Sequence, residues 1–74
     1  MPARVRFLQG RFIMIIRMGD GTSEIEWHVF MNTVVQFDKV GTHYKYFDSY
    51  DEACAWVMDQ VSYARKDMGF KFIK

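Results

Sequence analysis

The sequence predicts an α+β domain in which an antiparallel sheet of four to five strands carries a single helix on one face. Three observations point there. An Asp20-Gly21 pair sits between two runs of branched and aromatic residues, a capped amphipathic stretch runs from about Asp51 to Met68, and Gly69 is followed by a short alternating tail, Phe70 to Ile73. A chain of 74 residues has room for one domain and one core. Residues 1–74 therefore read as a single compact unit, with 1–10 as an edge strand or a flexible arm.

The runs Phe12 to Met18 and Glu24 to Met31 flank Gly19-Asp20-Gly21-Thr22. Asp-Gly is a hairpin signal because the tight turn needs positive φ. Taken as a two-residue turn, it sets Ile16 opposite Ile25, Met14 opposite Trp27 and Phe12 opposite Val29 on a wholly apolar face. The reverse face then carries Arg17 opposite Glu24, Ile15 opposite Glu26, Ile13 opposite His28 and Arg11 opposite Phe30. One apolar and one mixed face is the pattern of an antiparallel pair buried on one side. A second hairpin is expected from Val34 to Phe37, a turn over Asp38 to Gly41, and Thr42 to Phe47. Val5 to Leu8 either adds an edge strand or wraps the fold.

From Asp48 onward the pattern turns helical. Ser49 and Glu52 match a capping box, Asp51 and Glu52 occupy the first turn, and Arg65 and Lys66 fall near the last, as the helix dipole favours. Ala53, Trp56, Val57, Val61, Ala64 and Met68 recur at three- and four-residue spacing and form an apolar stripe. Gly69 suits a left-handed cap. Trp27 and Trp56 are expected to meet across sheet and helix, with Phe12, Met14, Ile16, Ile25 and Val29 completing the core. On that arrangement Trp56→Ala costs about 3–5 kcal/mol.

Chemistry-bearing patterns are sparse. Cys54 is the only cysteine, so no intrachain disulfide forms. As a nucleophile it would call on His28 or His43, but no glycine-rich oxyanion element accompanies it, and it reads as a helix residue. His28, His43 and Cys54 lack metal-ligand spacing, and Gly19, Gly21, Gly41 and Gly69 are scattered over turns rather than gathered into a phosphate loop. The expectation is therefore no catalytic residue, no metal and no cofactor. No apolar run approaches 18 residues and Met1 to Gly10 lacks a secretory core, so the chain reads as cytoplasmic and without a membrane partner.

Half the residues are hydrophobic and 18% aromatic, more than a small domain buries completely, so an apolar patch should remain for a partner to cover. The reverse face of the first hairpin is the candidate: Ile13, Ile15 and Phe30 framed by Arg11, Arg17, Glu24, Glu26 and His28, an apolar centre with a charged rim. The alternative fate of that face is to be covered by the N-terminal segment or by the region from Thr33 to Phe47. If it is open, the leading expectation is a non-enzymatic protein that binds a macromolecular protein partner. Homodimerisation through stacked sheets or a strand edge ranks with a foreign partner.

The charge layout supplies the competing reading. Residues 1–19 carry four arginines and no acid, residues 20–59 carry eight acids against Lys39 and Lys45, and residues 60–74 return to a basic balance. Arg4, Arg6, Arg11, Lys71 and Lys74, interleaved with Phe7, Phe12, Phe70 and Phe72, form a basic aromatic strip for nucleic acid if the two end segments are neighbours. Opposing it, the net charge is only +1 and the pI about 7.9.

Val40-Gly41, then Phe47-Asp48-Ser49, then Glu52-Ala53 on a helix gives an order of elements that resembles WGR domains, which are nucleic-acid-associated modules. The likeness covers about half the chain. The Trp-Gly-Arg signature is missing, since the corresponding stretch reads Val34-Val35-Gln36-Phe37. In size, build and lack of chemistry the chain also looks like the small inhibitors that bacteriophages encode against host defence or host enzymes, including anti-CRISPR proteins. That is a likeness of type without a shared motif.

Overall fold

A computed structural model describes residues 4–8 and 11–73, with side chains from 12 to 73. Its elements are β1 (Arg4–Leu8), β2 (Arg11–Gly19), β3 (Glu24–Phe30), β4 (Thr33–Asp38), β5 (Gly41–Tyr46), α1 (Tyr50–Asp67) and β6 (Lys71–Phe72). The first five strands form an antiparallel meander in chain order, and β6 pairs with β2. The fold is α+β, as the sequence predicts, and Arg4–Leu8 takes the edge-strand alternative by pairing with β2.

The first hairpin forms around Asp20-Gly21, but its loop is four residues long. The Asp20 carboxylate accepts hydrogen bonds from the Thr22 amide (2.9 Å), the Thr22 hydroxyl (2.8 Å) and the Ser23 amide (2.8 Å), while the Asp20 amide donates to the Ser23 carbonyl (3.2 Å). Gly21 supplies the positive φ of 96°. An aspartate side chain standing in for backbone acceptors widens the loop beyond the two-residue turn expected. The Thr22 and Ser23 amides also hold the Asp20 carboxyl below its usual value. Met14 consequently pairs with Val29, Ile16 with Trp27 and Met18 with Ile25. That register is displaced by two residues from the one predicted, and because side chains alternate with period two, every residue keeps its face.

Between β3 and β4 lies a turn that the sequence reading lacks. Phe30 pairs with Thr33 across Met31-Asn32, and Met31 takes a φ of 55°. Asn32 then ties this turn to the chain leaving β5: its carbonyl accepts from the Phe47 amide (2.9 Å) and its Nδ2 donates to the Phe47 carbonyl (2.8 Å).

The β4–β5 turn is organised by Asp38. Its carboxylate accepts from the Gln36 side chain (2.9 Å), the Val40 and Gly41 amides (2.9 and 3.1 Å) and His43 Nε2 (3.2 Å). These donors, Gln36 foremost, bring the Asp38 pKa down to about 2. A folded-state pKa below the unfolded value stabilises the hairpin above the ordinary carboxylate range, and that contribution is lost as pH falls toward 2. Amide resonances of Val40 and Gly41 should therefore titrate with a midpoint near 2 in wild type and not at all in Asp38→Asn. A midpoint in the ordinary range near ~3.9 would contradict this bonding.

Helix α1 starts as its caps predict. The Ser49 hydroxyl accepts from the Glu52 amide at 3.2 Å, and the acids and bases fall in the first and last turns. At its end Gly69 adopts φ 70°, and the Met68 and Phe70 amides both donate to the Ala64 carbonyl. Ala53, Val57, Val61 and Ala64 bury against Met14, Ile16, Met18, Trp27, Val29 and Val34, with Phe70 closing one end.

Three core expectations need correction. Trp56 is half-buried at the flank, tilted against Phe47 at 5.9 Å, with Lys45 Nζ 5.6 Å from its ring. The buried stripe runs through positions 53, 57, 61 and 64, and position 56 is one residue off it, so Trp27 alone is the buried indole. Phe12 is exposed at the sheet margin and stacks on Tyr50 at 5.0 Å. Met68 is the exposed C-cap residue, beyond the last helical turn.

Candidate interaction face

The sheet face opposite α1 is built by strand parity. Ile13, Ile15 and Arg17 of β2 pair with Phe30, His28 and Glu26 of β3. Phe30, His28 and Glu26 pair onward with Thr33, Val35 and Phe37 of β4, and these with Tyr46, Tyr44 and Thr42 of β5. Residues opposite one another in an antiparallel pair share a face. Three rows therefore cross four strands: Ile13-Phe30-Thr33-Tyr46, Ile15-His28-Val35-Tyr44 and Arg17-Glu26-Phe37-Thr42.

The region from Thr33 to Phe47 thus widens this face instead of folding over it. Ile15 is 46% exposed, Phe37 39%, Tyr44 64% and Tyr46 70%. All six residues of β5 are exposed. Packing α1 on one side only leaves these large groups in water, at a cost that covering them would recover.

A charged line crosses the face near one end. Arg17 Nη2 meets Glu24 Oε1 at 3.0 Å and its Nε lies 3.8 Å from Glu26 Oε1, while Glu26 Oε2 and His28 Nε2 are 2.5 Å apart. Arg17 and Glu24 make the expected ion pair, diagonally rather than directly opposed. The His28 ring stands edge-on to Phe37 at 5.1 Å. Each carboxylate is thereby paired along the sheet, beside the exposed side chains of Ile15, Phe37, Tyr44 and Tyr46.

Of the residues singled out from sequence, Ile13, Ile15, Arg17, Glu24, Glu26, His28 and Phe30 come together here. Arg11 pairs with Leu8 at the β1–β2 end, not with Phe30. The side chains of Arg4, Arg6 and Arg11, and all of Lys74, lie outside the described residues. Val35, Phe37, Tyr44 and Tyr46 belong to the face and were missed. Their alternation along two short strands carries the signal, and only the Met31-Asn32 turn assigns them to this side.

The basic end segments are brought to one edge. Strands β1 and β6 lie along the same side of β2, Arg4 opposite Ile15 and Lys71 opposite Gly19. The tyrosines sit at the other edge, on β5, with Glu24, Glu26 and Asp38 on the strands between. The exposed tyrosines thus stand apart from these basic segments, while the side chains of Arg4, Arg6, Phe7 and Arg11, with Lys74, on which the expected nucleic-acid strip depends, lie outside the described residues.

Cys54 and His28 are on opposite sides of the sheet, and His43 is held by Asp38. Burial pushes the Cys54 thiol up, which lowers its thiolate fraction. Burial likewise raises Tyr50, whose hydroxyl finds no nitrogen or oxygen partner among the described residues. Among the described residues no group of three or more His, Cys, Asp or Glu gathers in metal-binding geometry, and no helix is long and apolar enough to cross a membrane. Comparison with protein-family models, curated proteins and solved structures returns no match, and the likeness to WGR domains adds no argument.

Proposed function

We propose that this protein is a non-enzymatic binding protein that acts by covering a surface on a protein partner with the sheet face opposite α1. The observation that carries the reading is a continuous four-strand surface on which Ile15, Phe37, Tyr44 and Tyr46 stand exposed around an internally paired Arg17-Glu26-His28 line. Aromatic and aliphatic anchors give affinity when they are desolvated, and a surrounding charge line sets register and on-rate. Covering a surface is also how a small phage-type inhibitor blocks a host complex, the form of action that the chain's size and build suggest.

Ile15→Glu tests the reading. The substitution places a charge on the exposed face, beside His28, and leaves the buried face untouched. It should weaken capture of a protein partner from nuclease-treated lysate by roughly 10- to 100-fold, with the far-ultraviolet dichroism unchanged. Undiminished capture by the folded variant would remove this face from the function.

A further inference from the structure

We infer that the free edge of β5 takes up an extended peptide segment of a protein partner by antiparallel strand addition, with an acidic residue of that segment opposite Lys45. The inference rests on the binding reading above and names the chemistry of what is bound. It concerns backbone groups at the end of the sheet rather than the side chains of the open face.

β5 ends the strand order and pairs only with β4 among the described residues. The direction of its backbone groups follows from one hydrogen bond. The Phe47 amide donates to the Asn32 carbonyl at 2.9 Å, where the β4–β5 register, continued by one pair, sets 47 opposite 32. In an antiparallel ladder, residues whose amide and carbonyl face the partner strand alternate with residues whose groups face away. Counting back from Phe47, Lys45, His43 and Gly41 bond to β4, so Tyr46, Tyr44 and Thr42 turn their amides and carbonyls outward. Donors and acceptors therefore line the edge at the spacing of a further ladder.

Natural sheets blunt such an edge with a proline, a bulge, a very short strand or a covering segment. β5 shows none of these among the described residues. Its six residues pair with Thr33–Asp38 without interruption, every one is exposed, and none is proline. Its single lysine does not guard the edge either. Lys45 shares the helix side with buried Val34, and its Nζ lies over the rings of Trp56 and Phe47 at 5.6 and 5.7 Å. On the open side an added strand would meet Thr42, Tyr44 and Tyr46, against which β-branched and aromatic residues pair well.

Lys45 decides between occupants. It makes no ion pair among the described residues, and an acidic residue directly opposite it would supply one. A second copy does not. When β5 pairs antiparallel with itself in phase, Lys45 meets Gly41, His43 or Lys45 of the other copy, none of which is a carboxylate. Nucleic acid has no alternating amide and carbonyl row to offer the edge.

The test is a nuclear magnetic resonance titration of the isotope-labelled chain with a capped heptapeptide, Ser-Thr-Val-Glu-Val-Thr-Ser. Its valines fall opposite Tyr46 and Tyr44, and its glutamate opposite Lys45. At about 1 mM peptide the amide resonances of Thr42, Tyr44 and Tyr46 should shift saturably, and their hydrogen exchange should slow by about 3-fold or more. In antiparallel pairing the valine amides face β5. Methylating those nitrogens should weaken binding at least ~10-fold, while methylating the amides of the glutamate and the second threonine, which face away, should change it less than ~3-fold. Lys45→Glu should weaken binding of this peptide several-fold and strengthen binding of the version with lysine in place of glutamate. No saturable shift at these amides overturns the inference, as does a peptide indifferent to methylation of its valine amides. A wild type that dimerises through these amides, and that the peptide dissociates, overturns the foreign segment and makes a second copy the occupant. Ile15 stands on β2, away from this edge, so Ile15→Glu should bind the peptide as wild type does. Peptide binding together with capture that ignores Ile15→Glu removes the face reading alone. Ile15-dependent capture without peptide binding removes the edge alone.

Discussion

Trp27→Ala is expected to cost about 3–5 kcal/mol, enough to leave a domain of this size largely unfolded at modest urea concentration. The ring is 2% exposed and lies in the layer between α1 and the sheet, among Ile16, Val29, Val57 and Val61. Truncation removes a large buried apolar area and leaves a cavity that β-branched neighbours in regular elements fill poorly. It also strands the Gln36 side-chain oxygen, which accepts from Trp27 Nε1 at 3.0 Å. Trp56→Ala, at the half-buried flank, should shift the urea midpoint clearly less. Equal shifts for the two variants would mean that the flank is as much a part of the core as the centre.

The second large effect is expected at Gly19, and its cause is space. A Cβ at this position would sit 2.6 Å from the Ser23 carbonyl oxygen and 3.2 Å from the Glu24 side chain. That oxygen is backbone, fixed by its bond from the Asp20 amide, so it cannot swing aside. Gly19→Ala must either spread the Asp20-Ser23 loop or displace β6, which pairs with β2 at this residue. Overpacking against backbone costs about 1–3 kcal/mol. A thermal melt should show a midpoint lowered by several degrees, whereas Gly19→Ala at wild-type stability would show that the loop yields freely.

These two sites mark what was legible in the sequence. The partition of the first hairpin into apolar and mixed faces is set by period-two alternation, so it survives a register that differs by two residues. The register itself depended on the Asp20 side chain, whose three hydrogen bonds make a longer loop than Asp-Gly suggests. The Met31-Asn32 turn left no signal, because no glycine or proline marks it and a methionine takes positive φ only where surrounding pairing compels it. Without that turn, Val35, Phe37, Tyr44 and Tyr46 had no assigned side, and half of the candidate face went unread. On the helix, three- and four-residue spacing admitted both Trp56 and Val57 to one stripe. Only contact with the sheet decides which of two adjacent positions lies at its centre.

The pairing of β6 with β2 has a consequence for how the chain reaches this fold. Every other ladder joins strands that follow each other directly, so each closes a short loop and can zip from its turn. Met18 with Phe72 is the exception, a contact between the second strand and the last. It spans more of the sequence than any other strand pairing among the described residues, and beside it the Ile73 amide donates to the Arg17 carbonyl. Four ladders are local contacts of the kind that favours fast folding, while this one sequence-distant clasp ties the second strand to the last.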